Sequence, residues 1–300
     1  MKTNKINEII AIIVTYNRKD YVSKCIKFIL NQNQYTCNIL VIDNASNDGT
    51  EEEIQKITSP LLIYKNTGAN LGGAGGFYLG VKYACEHGYK YLWLMDDDTF
   101  VEPNTLQKLI LADHELNGNY GWLSSRVLWK DRKDCEMNMQ RRSPYKKIIW
   151  SDKNLIPSSM ASFVSLFIPV KNIIKYGLPI KDFFIWTDDW EFTRRISLHE
   201  KCYVVKNSIV IHAMKNQTPV NIAIDTDERL SRYNYFYRND VYLYRREGII
   251  GWIWVLSKFL WHSIQVIFKS DNKIEKIFII WKGFFNGIKF NPKIEFPISK

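Results

Sequence analysis

Apolar positions fall along this chain in two periods. Short unbroken apolar runs occur at Ile9-Ile10-Ala11-Ile12-Ile13-Val14, which is rich in β-branched residues, and at Ile39-Leu40-Val41-Ile42, Leu61 to Tyr64 and Tyr91-Leu92-Trp93-Leu94-Met95. An apolar run without alternation predicts a strand buried on both faces. Between these runs lie segments of helical spacing: Tyr21 to Leu30 with Asp20 as N-cap, Thr50 to Ile57, and Phe77 to His87. Thr15 to Arg18 reads as a loop, Ser46-Asn47-Asp48-Gly49 as a turn, and Asn70 to Gly76 as a glycine-rich loop. Alternating strand and helix with short connections predicts an α/β fold on a mostly parallel sheet. The second half is less regular. Ala161 to Val170 predicts a strand, Thr187 to Ile196 opens as a helix, and Cys202 to Ile211 is a strand or strand pair ending at His212. Beyond Asp225 the chain turns aromatic, basic and helical, which divides it into a domain over 1–225 and a helical segment over 226–300.

In open parallel sheets ligands bind beyond the carboxyl ends of the strands. Asp43, the glycine loop and Asp96-Asp97-Asp98 each follow a strand, so they should converge on one edge where a nucleotide could lie. Three adjacent carboxylates repel one another and are costly to bury without a counter-charge. A hard divalent ion shared with a diphosphate fits them, and so does a solvated acidic turn before a helix near Pro103. Thr187-Asp188-Asp189-Trp190-Glu191 is a second acidic group. Asp188 and Glu191 are spaced for one helix face, with Asp189 pointing elsewhere. Beside Trp186, Trp190 and Phe192 a carboxylate can hold a raised pKa and act as a base. An acid-rich first turn favoured by the helix dipole is the alternative. His212 becomes a metal ligand only if the fold brings it to the aspartates. The glycines let backbone approach a ligand closely, and amides before a helix bind phosphate. No Gly-Lys-Ser/Thr follows them, so the Walker pattern is excluded.

Of the 300 residues 46% are hydrophobic, enough for a sizeable core. The five scattered cysteines lack CxxC spacing, which speaks against a disulfide framework and a cysteine zinc site. Met1 to Glu8 is polar and has no signal-peptide apolar region, which predicts a cytoplasmic protein. The formal charge is +10, and from Ile249 onward eight Lys face Asp271, Glu275 and Glu295. Gly248 to Phe268 is apolar enough to suggest a membrane span, but Lys258 interrupts it at about 2.5–3.5 kcal/mol on an insertion scale. Lys258, His262, Gln265 and Lys269 recur at helical spacing, as do Lys282, Asn286 and Lys289. Two amphipathic helices with basic stripes and abundant Trp predict attachment to an anionic membrane surface. A pair packed on the core or in a homo-oligomer satisfies the same pattern. No groove-sized basic motif is present, so no nucleic-acid partner is expected.

Five motifs then occur in order: Thr15-Tyr16-Asn17-Arg18; Val41 to Thr50; Asn70 to Gly76; Met95-Asp96-Asp97-Asp98; and Trp186 to Glu191. Together they resemble glycosyltransferase family 2. Gly-Gly-Ala-Gly-Gly-Phe, the triple aspartate and Asp-Asp-x-Glu-Phe resemble its galactofuranosyltransferase branch, with the rhamnosyltransferases close by. The resemblance covers Ile9 to His212, and more weakly Tyr233 to Asn239. It implies a GT-A fold, a nucleotide-sugar donor, Mn²⁺ or Mg²⁺, and inversion at the anomeric carbon. By it, Thr15 and Asp43 hold the nucleobase and ribose, with Tyr16, Arg18, Asn70, Gly72 and Gly73 about the same pocket. Asp96 and Asp98 match the metal-binding pair, with Asp97 nearer the sugar and His212 completing the shell. Asp189 matches the catalytic base, with Asp188 beside it and Glu191 orienting acceptor hydroxyls. Thr187 departs from the galactofuranosyl pattern, which often has Trp before the Asp pair, and Trp186 stands one place earlier. The expected function is transfer of galactofuranose from UDP-galactofuranose to a surface-polysaccharide or lipid-linked glycan on the inner face of the membrane. A dTDP-rhamnose transferase and a non-catalytic nucleotide-binding scaffold are the alternatives.

Overall fold

A computed structural model describes residues 8–214 and 220–297. The reading of Met1 to Glu8 rests on residues 1–7, which lie outside the described residues. The apolar runs become β1 (Ile9–Thr15), β2 (Asn38–Asp43), β3 (Leu62–Asn66) and β4 (Tyr91–Asp96). They pair in parallel in the order β3-β2-β1-β4. The sheet continues through β10 (Leu166–Pro169), β6 (Leu123–Leu128), β11 (Tyr203–His212) and β5 (Thr99–Val101), with β9 (Leu155–Pro157) also against β11. β6 and β11 run with the first four strands, whereas β10, β5 and β9 run against their neighbours. A small hairpin, β7 (Arg141–Ser143) and β8 (Lys146–Lys147), stands apart.

The unbroken apolar runs have a direct cause. Ala11 and Ile13 of β1 face one core with Val22, Ile26 and Ile29 of α1 (Lys19–Leu30) and with Leu106 and Leu109 of α4 (Thr105–Glu115). Ile10, Ile12 and Val14 face the other core with Phe77 and Val81 of α3 (Gly72–Glu86), Ile173 of α5 (Val170–Tyr176) and Phe192 of α6 (Asp188–Ser197). Helices cover both faces, so neither can be polar. The short α2 (Thr50–Gln55) lies beside α1. A third core joins α7 (Asp227–Tyr244), α8 (Gly248–Lys269) and α9 (Lys273–Lys289), through Tyr237, Val241, Phe259 and Phe284. Among the described residues no helix is long and apolar enough to cross a membrane.

Four local expectations change. Asp20 lies inside α1, and Arg18 stands at its N-cap. The segment from Gly72 to Gly76 is helical, because the glycines let α3 approach the sheet. A Cβ on Gly76 would meet Val14 Cγ1 at 2.4 Å, and one on Gly80 would meet Ile12 Cγ2 at 2.4 Å. The strand expected from Ala161 begins only at Leu166, because Ser165 takes a positive φ of 59°, and its buried hydroxyl oxygen accepts from Trp93 Nε1–H at 2.8 Å. The stripe of Lys258 and His262 faces inward. Lys258 Nζ donates to Asp240 Oδ2 on α7 at 2.5 Å, and His262 Nδ1 meets the Tyr237 hydroxyl at 2.9 Å. Helical spacing shows which residues share a face, but a polar face can look toward a buried acid as readily as toward water.

Candidate functional site

A cavity of about 630 Å³ opens at the carboxyl end of the sheet, between the first strands and α6 to α8. Most of the expected residues line it: Thr15, Tyr16, Arg18, Asn70, Gly72 and Gly73 on one side, Asp96, Asp97 and Asp98 at the centre, and Asp188, Asp189 and His212 beyond. Separations of up to 114 residues in sequence are closed by the sheet: β1 and β4 are parallel neighbours, and β5, directly after the aspartate triplet, pairs with β11 so that His212 stands opposite Thr99.

Arg18 and His212 neutralise the aspartate triplet. Arg18 Nη1 pairs with Asp97 Oδ1 at 2.9 Å and its Nη2 with Asp98 Oδ2 at 2.7 Å. The Thr15 hydroxyl donates to Asp97 Oδ2 at 2.7 Å. Burial still pushes the Asp97 carboxyl up to about 8, with Arg18 acting in the opposite sense. His212 Nε2 lies 2.8 Å from Asp98 Oδ1 and 4.0 Å from Asp96 Oδ2. Burial disfavours charge on both His212 and Asp98. Their mutual attraction outweighs it, holding the imidazole above its ordinary range and the carboxyl below. The other imidazole nitrogen, Nδ1, faces Asn138 Oδ1 at 2.7 Å. A side-chain carbonyl can only accept, so Nδ1 carries a hydrogen and Nε2 is turned to the acids.

Asp96, Asp98 and His212 each offer one ligand atom, and these lie within 4.8 Å of one another. Two carboxylate oxygens and an imidazole nitrogen, with the second nitrogen anchored, form a donor set that suits Mn²⁺ or Mg²⁺. The residues therefore fit a divalent ion.

Asp188 and Asp189 enter the same cavity from the start of α6. The turn before them is strained: Phe184, Trp186 and Thr187 have φ of 64°, 62° and 68°. Such backbone costs on the order of 1–3 kcal/mol per residue and survives only where neighbours over-determine it. Burial, then nearby charge including Asp96, raises the Asp188 carboxyl to about 7. Burial and Asp188 lift Asp189 well above the ordinary carboxylate range. Asp189 Oδ1 accepts from the Trp190 backbone N–H at 2.7 Å.

Two expected residues stand outside the cavity. Glu191 is buried and bound at both oxygens by Arg195, one turn on, at 3.0 and 3.1 Å. Asp188 lines the cavity, whereas Glu191, three residues on, is held out of it by Arg195. Asp43 is fully buried behind the wall, accepting from the Ser46 N–H at 2.9 Å and the Tyr64 hydroxyl at 2.7 Å. Its neighbour Asn44 lines the cavity instead. Asn44 Nδ2 donates to Gly72 O at 3.0 Å, and its buried Oδ1 has no partner among the described residues. Sequence reasoning also missed Asn138, Arg141, Arg229, Arg232, Asp240 and Lys258. The aromatic-basic run after Asp225 was the only signal for the last four, and nothing in the sequence marked Asn138.

Residues 10–147 match the family model described as glycosyl transferase family 2. Galactofuranosyltransferase GlfT1 of Mycobacterium tuberculosis (strain ATCC 25618 / H37Rv) is 24% identical over 202 residues, which are 63% of this chain and 64% of that protein. Abequosyltransferase RfbV of Salmonella typhimurium (strain LT2) is 29% identical over 150 residues, 48% of this chain and 41% of that protein. The chain thus spans just under two thirds of the length of the first of these relatives. Among solved structures, S. aureus TarS 1-349 aligns with a TM-score of 0.53 at 13% identity, over 93% of this chain and 71% of that one. GalNAc-T7 with UDP, GalNAc and Mn²⁺ aligns at 0.58 and 14%, over 79% and 48%. Mannosyltransferase PcManGT from Pyrobaculum calidifontis, in complex with GDP-Man and Mn²⁺, aligns at 0.56 and 13%, over 88% and 73%. At these identities the likeness shows the fold, an α/β sheet of the GT-A kind followed here by a helical region.

Proposed function

We propose that this chain, which carries a glycosyl transferase family 2 domain, moves a sugar from a nucleotide-diphosphate donor onto a glycan hydroxyl in one inverting displacement. One observation carries the reading: the Asp96, Asp98 and His212 cluster and the Asp188-Asp189 pair line the same cavity. Asp96, Asp98 and His212 would hold the divalent ion, which when bound supplies Lewis-acid stabilisation of the departing diphosphate. Tyr16, Arg18, Asn70 and the start of α3 surround the nucleotide end, and Asn44 Oδ1 offers the donor a buried acceptor. Asp189 takes the proton of the attacking hydroxyl, a role its raised pKa suits, with Asp188 beside it. With its carboxylate already paired to Arg195, Glu191 supports α6 rather than the acceptor. The catalytic part is 1–225, and 226–300 completes the acceptor side of the cavity.

The favoured donor is UDP-galactofuranose and the acceptor a surface-polysaccharide or lipid-linked glycan. The relatives named galactofuranosyltransferase and the Gly-Gly-Ala-Gly-Gly-Phe motif support this donor. The test is a panel of nucleotide sugars, dTDP-rhamnose included, scored for Mn²⁺-dependent release of nucleotide diphosphate. UDP-galactofuranose should be cleaved fastest, EDTA should stop the reaction, and Asp98→Ala should abolish it. Full turnover in EDTA would sink the metal assignment, and a faster rhamnose donor would replace the sugar. The outward face of α8 and α9 supports a peripheral position on the inner, anionic face of a membrane. Ile253, Trp261, Phe268 and Phe278 are exposed there, with Lys269, Lys273, Lys282 and Lys289 around them.

A further inference from the structure

The turn that leads into Asp188 cannot hold its shape alone. Phe184, Trp186 and Thr187 are non-glycine residues at positive φ. Thr187 O accepts the first bond of α6 from the Glu191 N–H at 2.9 Å, but the carbonyls of Phe184 to Trp186 enter no helix or sheet ladder. Buried carbonyls need donors from elsewhere. Here most of the donors come from α7. Asn239 Nδ2 lies 3.0, 3.1 and 2.9 Å from the carbonyl oxygens of Phe183, Ile185 and Trp186. Arg238 fixes the direction of that amide by donating to Asn239 Oδ1 from Nε at 3.0 Å and Nη2 at 2.9 Å. The same Nη2 donates to Asp182 O at 2.6 Å.

Asp240 completes the attachment. Its Oδ1 accepts from the Thr187 hydroxyl at 3.1 Å, and its Oδ2 takes Lys258 Nζ of α8 at 2.5 Å. From the opposite side, Phe184 O accepts from the Ala74 N–H at 3.1 Å, where Gly72 leaves room that a Cβ would fill. Asn239 has no exposed surface and Asp240 almost none. Every hydrogen bond that the Asn239 amide donates goes to this one turn.

We propose that Asn239 and Asp240 are positioning residues. They clamp the strained turn so that Asp188 and Asp189 point into the cavity, and the pair with Lys258 makes α8 part of that clamp. The inference rests on the assignment of Asp189 as base. Neither residue needs to touch the reacting atoms for this effect, since a misplacement of about 1 Å can cost roughly 10²-fold in rate.

The test compares the full unmutated chain with Asn239→Ala and with the double variant Asp240→Leu/Lys258→Met, which leaves no unpaired charge. Hydrogen–deuterium exchange should quicken in the peptide over 184–190 and stay unchanged in β2. With the nucleotide sugar that the unmutated chain cleaves and Mn²⁺, kcat should fall about 10²-fold while KM for the donor stays within about threefold. The inference is overturned if exchange over 184–190 is unchanged, or if kcat stays within about twofold. It is also overturned if exchange rises across the whole sheet and KM climbs with the loss of kcat, because that pattern marks general destabilisation. Should Asn239→Ala fail to fold, the double variant decides, and failure of both assigns these residues to stability alone and overturns the inference. Asp189→Asn in the same assay separates the two readings. Near-normal turnover there removes the base assignment, whereas the exchange result stands on its own.

Discussion

His212 and the Asp188-Asp189 pair are all held toward their protonated forms within one cavity, the imidazole by attraction to Asp98 and the carboxyls by burial. At His212 the second nitrogen decides what the first can do. Asn138 Oδ1 anchors Nδ1, so its loss frees the ring to rotate and to take the other tautomer. Asn138→Leu should weaken Mn²⁺ binding by about 10- to 100-fold with the fold intact, measured by metal titration of the purified protein. Binding at unmutated strength would remove Asn138 from the site. For Asp188 the consequence is a pH dependence of stability. Its pKa rises from 3.8 to about 7 on folding, so the folded chain keeps a proton that the unfolded chain gives up. The folded state therefore binds more protons between about pH 4 and 7, and stability falls as pH rises through that window. Asp188→Asn should flatten the decline of Tm with pH from 4 to 7 in metal-free protein, followed by thermal unfolding. An unchanged slope would show that Asp188 is not held protonated. Asp189→Asn should fold, bind donor and lose transfer by about 10²–10⁴-fold, and normal turnover would move the base to Asp188.

Among the elements, α3 and α8 differ most from their sequence patterns. The glycines of α3 serve packing and site at once. Gly76 and Gly80 sit against β1, whereas a Cβ on Gly73 would meet nothing within 4 Å. Gly76→Ala and Gly80→Ala should each cost about 1–3 kcal/mol by overpacking, and Gly73→Ala should leave stability unchanged within about 0.5 kcal/mol, all by denaturant unfolding. Equal effects at the three positions would mean that α3 can shift away from the sheet. In α8 Lys258 and His262 are satisfied internally by Asp240 and Tyr237, while Ile253, Trp261 and Phe268 stay on the outside.

For the molecule as a whole, the proposed membrane position makes that outward face the attachment surface. Ile253, Trp261 and Phe268 are 60%, 58% and 81% exposed, so changing them removes little core packing. Changing all three to Ser should abolish sedimentation with phosphatidylglycerol vesicles while Tm moves little. Salt should weaken binding of the unmutated chain without ending it, because it screens the lysines and leaves apolar burial intact. If the unmutated chain ignores the vesicles and forms a dimer that the triple variant splits, the face joins two copies instead. Cutting the chain before Gly248 is a poor substitute for this experiment. Val255, Phe259 and Phe284 pack in one core with Tyr237 and Val241 of α7, and without them the contacts of α7 with the turn before Asp188 lose their cover.

Local order was legible in the sequence because it depends on neighbours in the chain. Unbroken apolar runs require burial on both faces, so β1, β2 and β4 and the domain class follow from spacing alone. The rule that ligands gather beyond strand ends then brings Asp96 and Asp98 to one edge, whereas His212 reaches them only through the pairing of β5 with β11. Tertiary structure decided what each polar group meets there. Nothing near Glu191 in sequence announces that Arg195 will occupy both its oxygens, and nothing near Asp43 announces Tyr64. Spacing likewise could not show that Lys258 faces an acid on α7, nor that Asn239 supplies the donors for a turn more than fifty residues earlier. Periodicity is a property of one segment, whereas the direction a polar face takes depends on which partner lies across the gap.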